Sequence, residues 1–187
     1  MQTVTLQEIQ EEIQRLKGEL VRARRAMPPE PVANHELRRT DGSTVRLSEL
    51  FGDKRDLLLV HNMGKGCRYC TLWADGLNGF TDHLESRTAF ALVSGDDPAT
   101  AGAFSTGRSW SFQVLSGHDG DFTTAMGFKT EHGNQPGVSA FRLLDDGSIV
   151  RTGFDHFGPG DDYCAPFPLF ELLEGGIGDW EPRYIYS

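Results

Sequence analysis

Cys67 and Cys70 are separated by Arg68 and Tyr69 in the run KGCRYC. Two thiols at that spacing lie within one helical turn, so one sulfur can attack a disulfide and the other can displace the product by closing an internal bridge. The motif follows an apolar run, Asp56 to His61 (DLLLVH), and opens a stretch with helical periodicity. That context places Cys67 at a helix N-terminus, where unpaired N–H groups and the helix dipole favour a thiolate and Lys65 and Arg68 add positive charge. Cys67 is read as the nucleophile, with a pKa below that of a free thiol, and Cys70 as the resolving thiol. The competing reading is a pair of small buried hydrophobes.

Two further groups could join this chemistry. His61 lies six residues before Cys67; a histidine there could accept the Cys70 proton near neutral pH, or it could be a strand-end histidine satisfied by backbone. Cys164, in the Gly/Pro-rich loop from Gly158 to Pro168 and close in sequence to His156, could be a further redox partner or complete a Cys67, Cys70, Cys164 and His zinc site, although a lone loop cysteine most often does neither. His35, His83, His118 and His132 show no catalytic or metal spacing. The segment GFDHFGPGDD lacks the order and the lysine of a phosphate loop. No cofactor is expected.

The elements that must hold this site are legible from periodicity. Leu6, Ile9, Ile13, Leu16, Leu20, Ala23 and Met27 recur at alternating spacings of three and four, an amphipathic helix with a heptad-like stripe. Thr5 with Glu8 forms a capping box at its start, and Pro28, Pro29 and Pro31 end it. Three heptads is short for an independent coiled coil, so docking on a domain, its own or a neighbour's, is the favoured fate of the stripe and a free zipper the alternative. Residues 1–34 are thus read as a helical arm and Pro-rich linker, and residues 35–187 as one domain. In that domain a hairpin turns at Asp41-Gly42, Ser48–Gly52 makes a helical turn, and Asp56–His61 is a central strand. A helix is expected from Arg68 to about Leu84, a strand over Thr88–Ser94, a helix from Asp97-Pro98 to about Gly107 and a strand at Phe112–Leu115. Asp119–Gln135 is hard to assign beyond a helical turn at Phe122–Phe128; a strand hairpin turns at Asp145-Asp146-Gly147, and a helix covers Phe167–Leu173. Strand and helix alternate and a hairpin follows, which makes a mixed α/β sheet flanked by helices.

Composition narrows the partners. A net charge of −9 across 187 residues argues against a nucleic-acid or anionic-membrane footprint. The segment from Met1 to Lys17 is polar and acidic where a secretory signal needs a basic start and an apolar run, so a cytoplasmic location is expected. An odd cysteine count does not look like a secreted disulfide framework.

The strand Leu57–His61, CRYC, and the strands after Gly137 resemble a thioredoxin fold. More closely, CRYCTLWADGLNG (Cys67–Gly79), the preceding RTDGSTVRLSELFGDKRDLLLVHNM and the later PGVSAFRLLDDGSIVRTGF resemble a bacterial family of unknown function, predicted to be dithiol-disulfide oxidoreductases with thioredoxin-like folds. The resemblance covers most of the chain, and WADG is its most specific element. It implies thiol-disulfide exchange at Cys67 and Cys70 on a protein or small-molecule disulfide, with Tyr69, Trp73, Pro136 and Ser139 on the substrate side. The sequence departs from thioredoxin proper at Gly66, where a Trp is common, and at Arg68-Tyr69, where Gly-Pro is usual. The place of the thioredoxin cis-proline falls on Ser139, three residues after Pro136, and that of a buried carboxylate on His61. Peroxide reduction is disfavoured, since peroxiredoxin sites carry Thr or Ser three residues before the cysteine and this chain has Gly64. A binding module without redox turnover is the reading from a different class, and the helical arm makes a homo-oligomer plausible.

Overall fold

Thr5 and Glu8 start the chain's first element by exchanging hydrogen bonds: Glu8 N–H donates to Thr5 Oγ1 at 3.2 Å and Thr5 N–H to Glu8 Oε2 at 2.8 Å. In the computed structural model, which describes residues 4–186, the capping box opens helix α1 (Leu6–Ala26). The short strands β1 (Glu30–Val32), β2 (Glu36–Arg39) and β3 (Thr44–Arg46) follow, then a tight 3-10 turn at Leu47–Phe51. The chain continues as β4 (Asp56–Asn62), α2 (Arg68–Asn78), α3 (Thr81–Arg87), β5 (Ala89–Ser94), α4 (Pro98–Gly107) and β6 (Gln113–Ser116). It ends with α5 (Phe122–Ala125), the small pair β7 (Lys129–Thr130) and β8 (Gly133–Asn134), the long hairpin β9 (Gly137–Leu143) and β10 (Ile149–His156), and α6 (Pro166–Phe170).

Eight strands form one sheet in the order β1-β10-β9-β4-β5-β6-β2-β3. β4, β5 and β6 are parallel, joined by crossovers through α2–α3 and α4, and β9 runs antiparallel to β4 with Gly137 opposite His61. Side chains alternate along β4 and divide the interior into two layers. Leu57 and Leu59 face one core with Leu37, Phe51, Phe122, Phe128 and Phe141. Leu58 and Val60 face the other, where α2 and α6 contribute Trp73, Ala74 and Phe167. A strand apolar on both faces is what a central position demands. Among the described residues no helix is long and apolar enough to cross a membrane.

The mixed α/β sheet, both hairpins and the Asp97-capped α4 match the sequence reading. The helix expected from Arg68 to Leu84 is two helices: Gly79 N–H turns back to Gly76 O at 3.1 Å, and Thr81 Oγ1 donates to Asn78 O at 3.1 Å, closing α2 before α3 begins. The proline segment after α1 is not a free tether, because Glu30–Val32 pairs with Ile149–Arg151 at the sheet edge. The heptad stripe does not dock on its own domain: no residue of α1 is buried.

Candidate active site

Cys67 is the N-cap residue of α2, and its Sγ accepts the Cys70 N–H at 3.1 Å. The loop that delivers it from β4 is fixed on two sides. Asn62 Oδ1 accepts Gly64 N–H at 2.8 Å while its Nδ2 donates to Cys70 O at 3.4 Å, and Asp96 Oδ2 accepts Lys65 N–H at 2.6 Å. Gly64 sits at φ 111°, and a Cβ there would come within 2.6 Å of the Asp96 carboxylate. Both the backbone angle and the space require glycine. A Thr or Ser of the peroxiredoxin kind would be strained at this backbone angle and would have to displace the Asp96 carboxylate.

The two thiols are free and unlike in environment. Cys67 is half-buried and Cys70 is 2% exposed. The Cys67 pKa is lowered to about 6, chiefly by the Cys70 S–H it accepts and then by the N–H groups of Cys70 and Tyr69, against an opposing effect of burial. The Cys70 thiol is pushed up, because it donates to Cys67 and is buried beside it. The lowering rests on hydrogen bonds at the helix start more than on the cations expected from sequence: Arg68 pairs instead with Glu181 at 3.0 Å.

His61 is not brought to the thiols. It shares the strand face of Leu57 and Leu59, away from α2, and its ring stacks on Phe128 at 3.9 Å and Phe122 at 5.6 Å. Its Nε2 lies 3.0 Å from Ser139 Oγ, and Nδ1 is buried without a partner. The residue counted as a proton acceptor for Cys70 is therefore a core histidine, and burial, with Arg151 and His156 nearby, lowers its pKa to about 3. Ser139 is buried with it and does not reach a substrate face. Pro136 precedes Gly137, the partner of His61, so it lies beside the end of β4 where the Cys67 loop departs. Tyr69 is half-buried and tilted against Trp73 at 6.3 Å; Trp73 is itself buried and donates Nε1–H to Asp161 at 3.3 Å, supporting α2 rather than lining a groove.

Cys164 is packed in the apolar layer with Trp73, Phe157 and Phe167, where burial and then Asp161 push its thiol up to about 11. Both effects disfavour its thiolate. Among the described residues no three His, Cys, Asp or Glu side chains converge as a metal site requires, so the Cys67, Cys70, Cys164 and His arrangement is not formed.

Sequence reasoning missed the anchor of the C-terminal tail. Asp75, in the WADG run, holds the Arg108 guanidinium through both oxygens and accepts Trp110 Nε1–H at 2.8 Å, and Arg108 Nη1 donates to Tyr184 O at 2.6 Å. Tyr184 is thereby set near the thiols, and its phenol is raised by burial and then by the Cys67 thiolate. The only local signal was an acidic residue inside the WADG run, five residues after Cys70.

A dithiol at the start of the helix after a central parallel strand, on a mixed sheet, defines a thioredoxin-like protein. The chain belongs to the family described as "Bacterial protein of unknown function (DUF899)", which matches residues 2–169. No curated protein matches it. Among solved structures it is similar to peroxidoxin BcpB from Mycobacterium tuberculosis, with 21% identity over 68% of this chain and 84% of that one, at a TM-score of 0.56. It is also similar to reduced Prx3 in complex with hydrogen peroxide from Vibrio vulnificus, with 19% identity over 72% and 90% of the two chains at a TM-score of 0.58. A peroxiredoxin-like protein from Aquifex aeolicus aligns at 12% identity over 68% and 74%, with a TM-score of 0.55. These likenesses establish the fold.

Proposed function

We propose that this protein is a thiol-disulfide oxidoreductase acting on a protein or small-molecule disulfide, with the body from β1 onward as the catalytic part and α1 as an arm. The observation that carries the reading is the half-buried Cys67, whose sulfur accepts the Cys70 N–H at 3.1 Å beside a buried second thiol. The Cys67 thiolate attacks one sulfur of the substrate disulfide; an S–S bond forms to Cys67 as the substrate S–S bond breaks, and the departing sulfur leaves as a thiolate that takes a proton from solvent. Cys67 has then lost the negative charge that held the Cys70 proton in place, so Cys70 ionises more readily. Its thiolate attacks Cys67 Sγ and expels the second substrate sulfur. Two electrons pass to the substrate, which becomes two thiols, and the protein keeps the Cys67–Cys70 disulfide. In this reading Pro136, beside the end of β4, and Tyr69, between the two cysteines, meet the substrate. A reducing compartment such as the cytoplasm suits the free dithiol. Peroxide as the oxidant fits less well, since Gly64 leaves no hydroxyl beside the sulfur.

The test is equilibration of the purified protein in defined glutathione and dithiothreitol buffers, with free thiols counted by mass spectrometry. A reversible two-electron couple lost in Cys70→Ser is expected, with the Ser variant trapping a mixed disulfide at Cys67. Thiols that stay reduced at every poise would refute the reading in favour of a binding module.

A further inference from the structure

The apolar stripe of α1 faces solvent. Leu6, Ile9, Ile13, Leu16 and Leu20 are between 44% and 71% exposed. Ion pairs tie the helix to the body from outside that stripe, Lys17 to Asp162 at 2.9 Å and Arg24 to Asp155. The stripe runs 6, 9, 13, 16, 20, 23, 27, a strict alternation of three and four. That period of 3.5 is the narrow seam of a supercoiled pair, narrower than the face of a helix lying on a globular core. In heptad letters Leu6, Ile13, Leu20 and Met27 occupy a, and Ile9, Leu16 and Ala23 occupy d. Gly18 falls at f, farthest from the seam.

The flanks decide what covers it. The g positions within the helix carry Glu12, Glu19 and, at its last residue, Ala26, and the e positions that follow the two glutamates carry Lys17 and Arg24. In a parallel, in-register pair each g residue faces the e residue five positions on in the other helix. Glu12 then meets Lys17 and Glu19 meets Arg24 of a second copy, twice over by symmetry. In an antiparallel pair g faces g and e faces e, which sets Glu against Glu and Lys or Arg against Arg. Arg15 already holds both glutamates on the g flank, through Glu12 at 2.6 Å and Glu19 at 2.5 Å. The pairs of Lys17 and Arg24 with the body are exposed and worth little, so sharing them with a partner costs little.

We propose that α1 is one half of a parallel two-stranded coiled coil whose other half is α1 of a second copy of this chain. The proposal is independent of the thiol chemistry. Sedimentation velocity on the full chain from about 1 to about 300 µM tests it by mass action, using wild type, Glu12→Lys/Glu19→Lys, Lys17→Glu/Arg24→Glu, and an equimolar mixture of the two variants. Wild type should dimerise reversibly, each double variant should dissociate at least about tenfold more readily, and the mixture should restore a dimer containing one of each. The side chains changed are on the surface, so the thermal transition of the body should persist and report folding. A wild type that remains monomeric throughout, a dimer indifferent to Glu12→Lys/Glu19→Lys, or a mixture that does not associate would each overturn the proposal.

Discussion

Replacing His61 with Phe should flatten the acid limb of stability. The imidazole is 1% exposed between two phenylalanines, its Nδ1 has no partner, and its pKa falls from an ordinary 6.5 to about 3. The folded state therefore binds fewer protons at this residue than the unfolded state over that interval. The sign follows by linkage: stability is intact above about pH 6.5, falls as pH drops below it, and has lost its full share near pH 3. At about 1.4 kcal/mol per pH unit the whole window is worth about 5 kcal/mol, and lowering pH from 7 to 5 removes about 2 kcal/mol. In His61→Phe this loss disappears. The variant should be the less stable at pH 7, by about 1 kcal/mol, because Ser139 Oγ loses its partner, and it should equal or exceed wild type by pH 5. Urea unfolding at matched ionic strength across that range measures the difference, and the other histidines cancel between the two proteins. Parallel pH profiles for wild type and variant would refute the account of a buried neutral imidazole.

Alkylation of Cys67 by iodoacetamide should show an inflection near pH 6, and an inflection above pH 8 would remove the hydrogen-bonded thiolate from the argument. Gly64→Thr should cost about 2 kcal/mol through its positive φ and the approach to Asp96, read as a lower urea midpoint; an unchanged midpoint would mean the loop is not fixed as described. Asp75→Ala should cost about 1–2 kcal/mol, lowering Tm by a few degrees, and should expose the tail after Trp180 to proteolysis, since Arg108 and Trp110 lose their acceptor; resistance equal to wild type would show the tail is held elsewhere.

What the sequence disclosed and withheld follows from kinds of signal. The heptad spacing, the Asp41-Gly42 and Asp146-Gly147 turns and the Asp97-Pro98 helix start are local chemistry, and each appears where it was expected. Cys67 at a helix start is local as well. The break at Gly79 was obscured because the apolar face continues through Leu77 to Leu84 while the backbone turns. The orientation of His61 was out of reach for a different reason. Leu57 to Val60 is apolar at every position, so the strand carries no polar alternation to mark which face receives α2, and the parity that sends His61 away from the thiols cannot be read from it. Asp75, Arg108 and Tyr184 meet across separations of 33 and 76 residues, which no local pattern encodes.

Arg108 grips the tail through the carbonyl oxygen of Tyr184, an atom that every amino acid carries. The tether is therefore indifferent to which side chain stands at that position. The side chain at 184 can be exchanged without surrendering the attachment of the tail, so a substitution there alters the surroundings of Cys67 while the architecture stays constant.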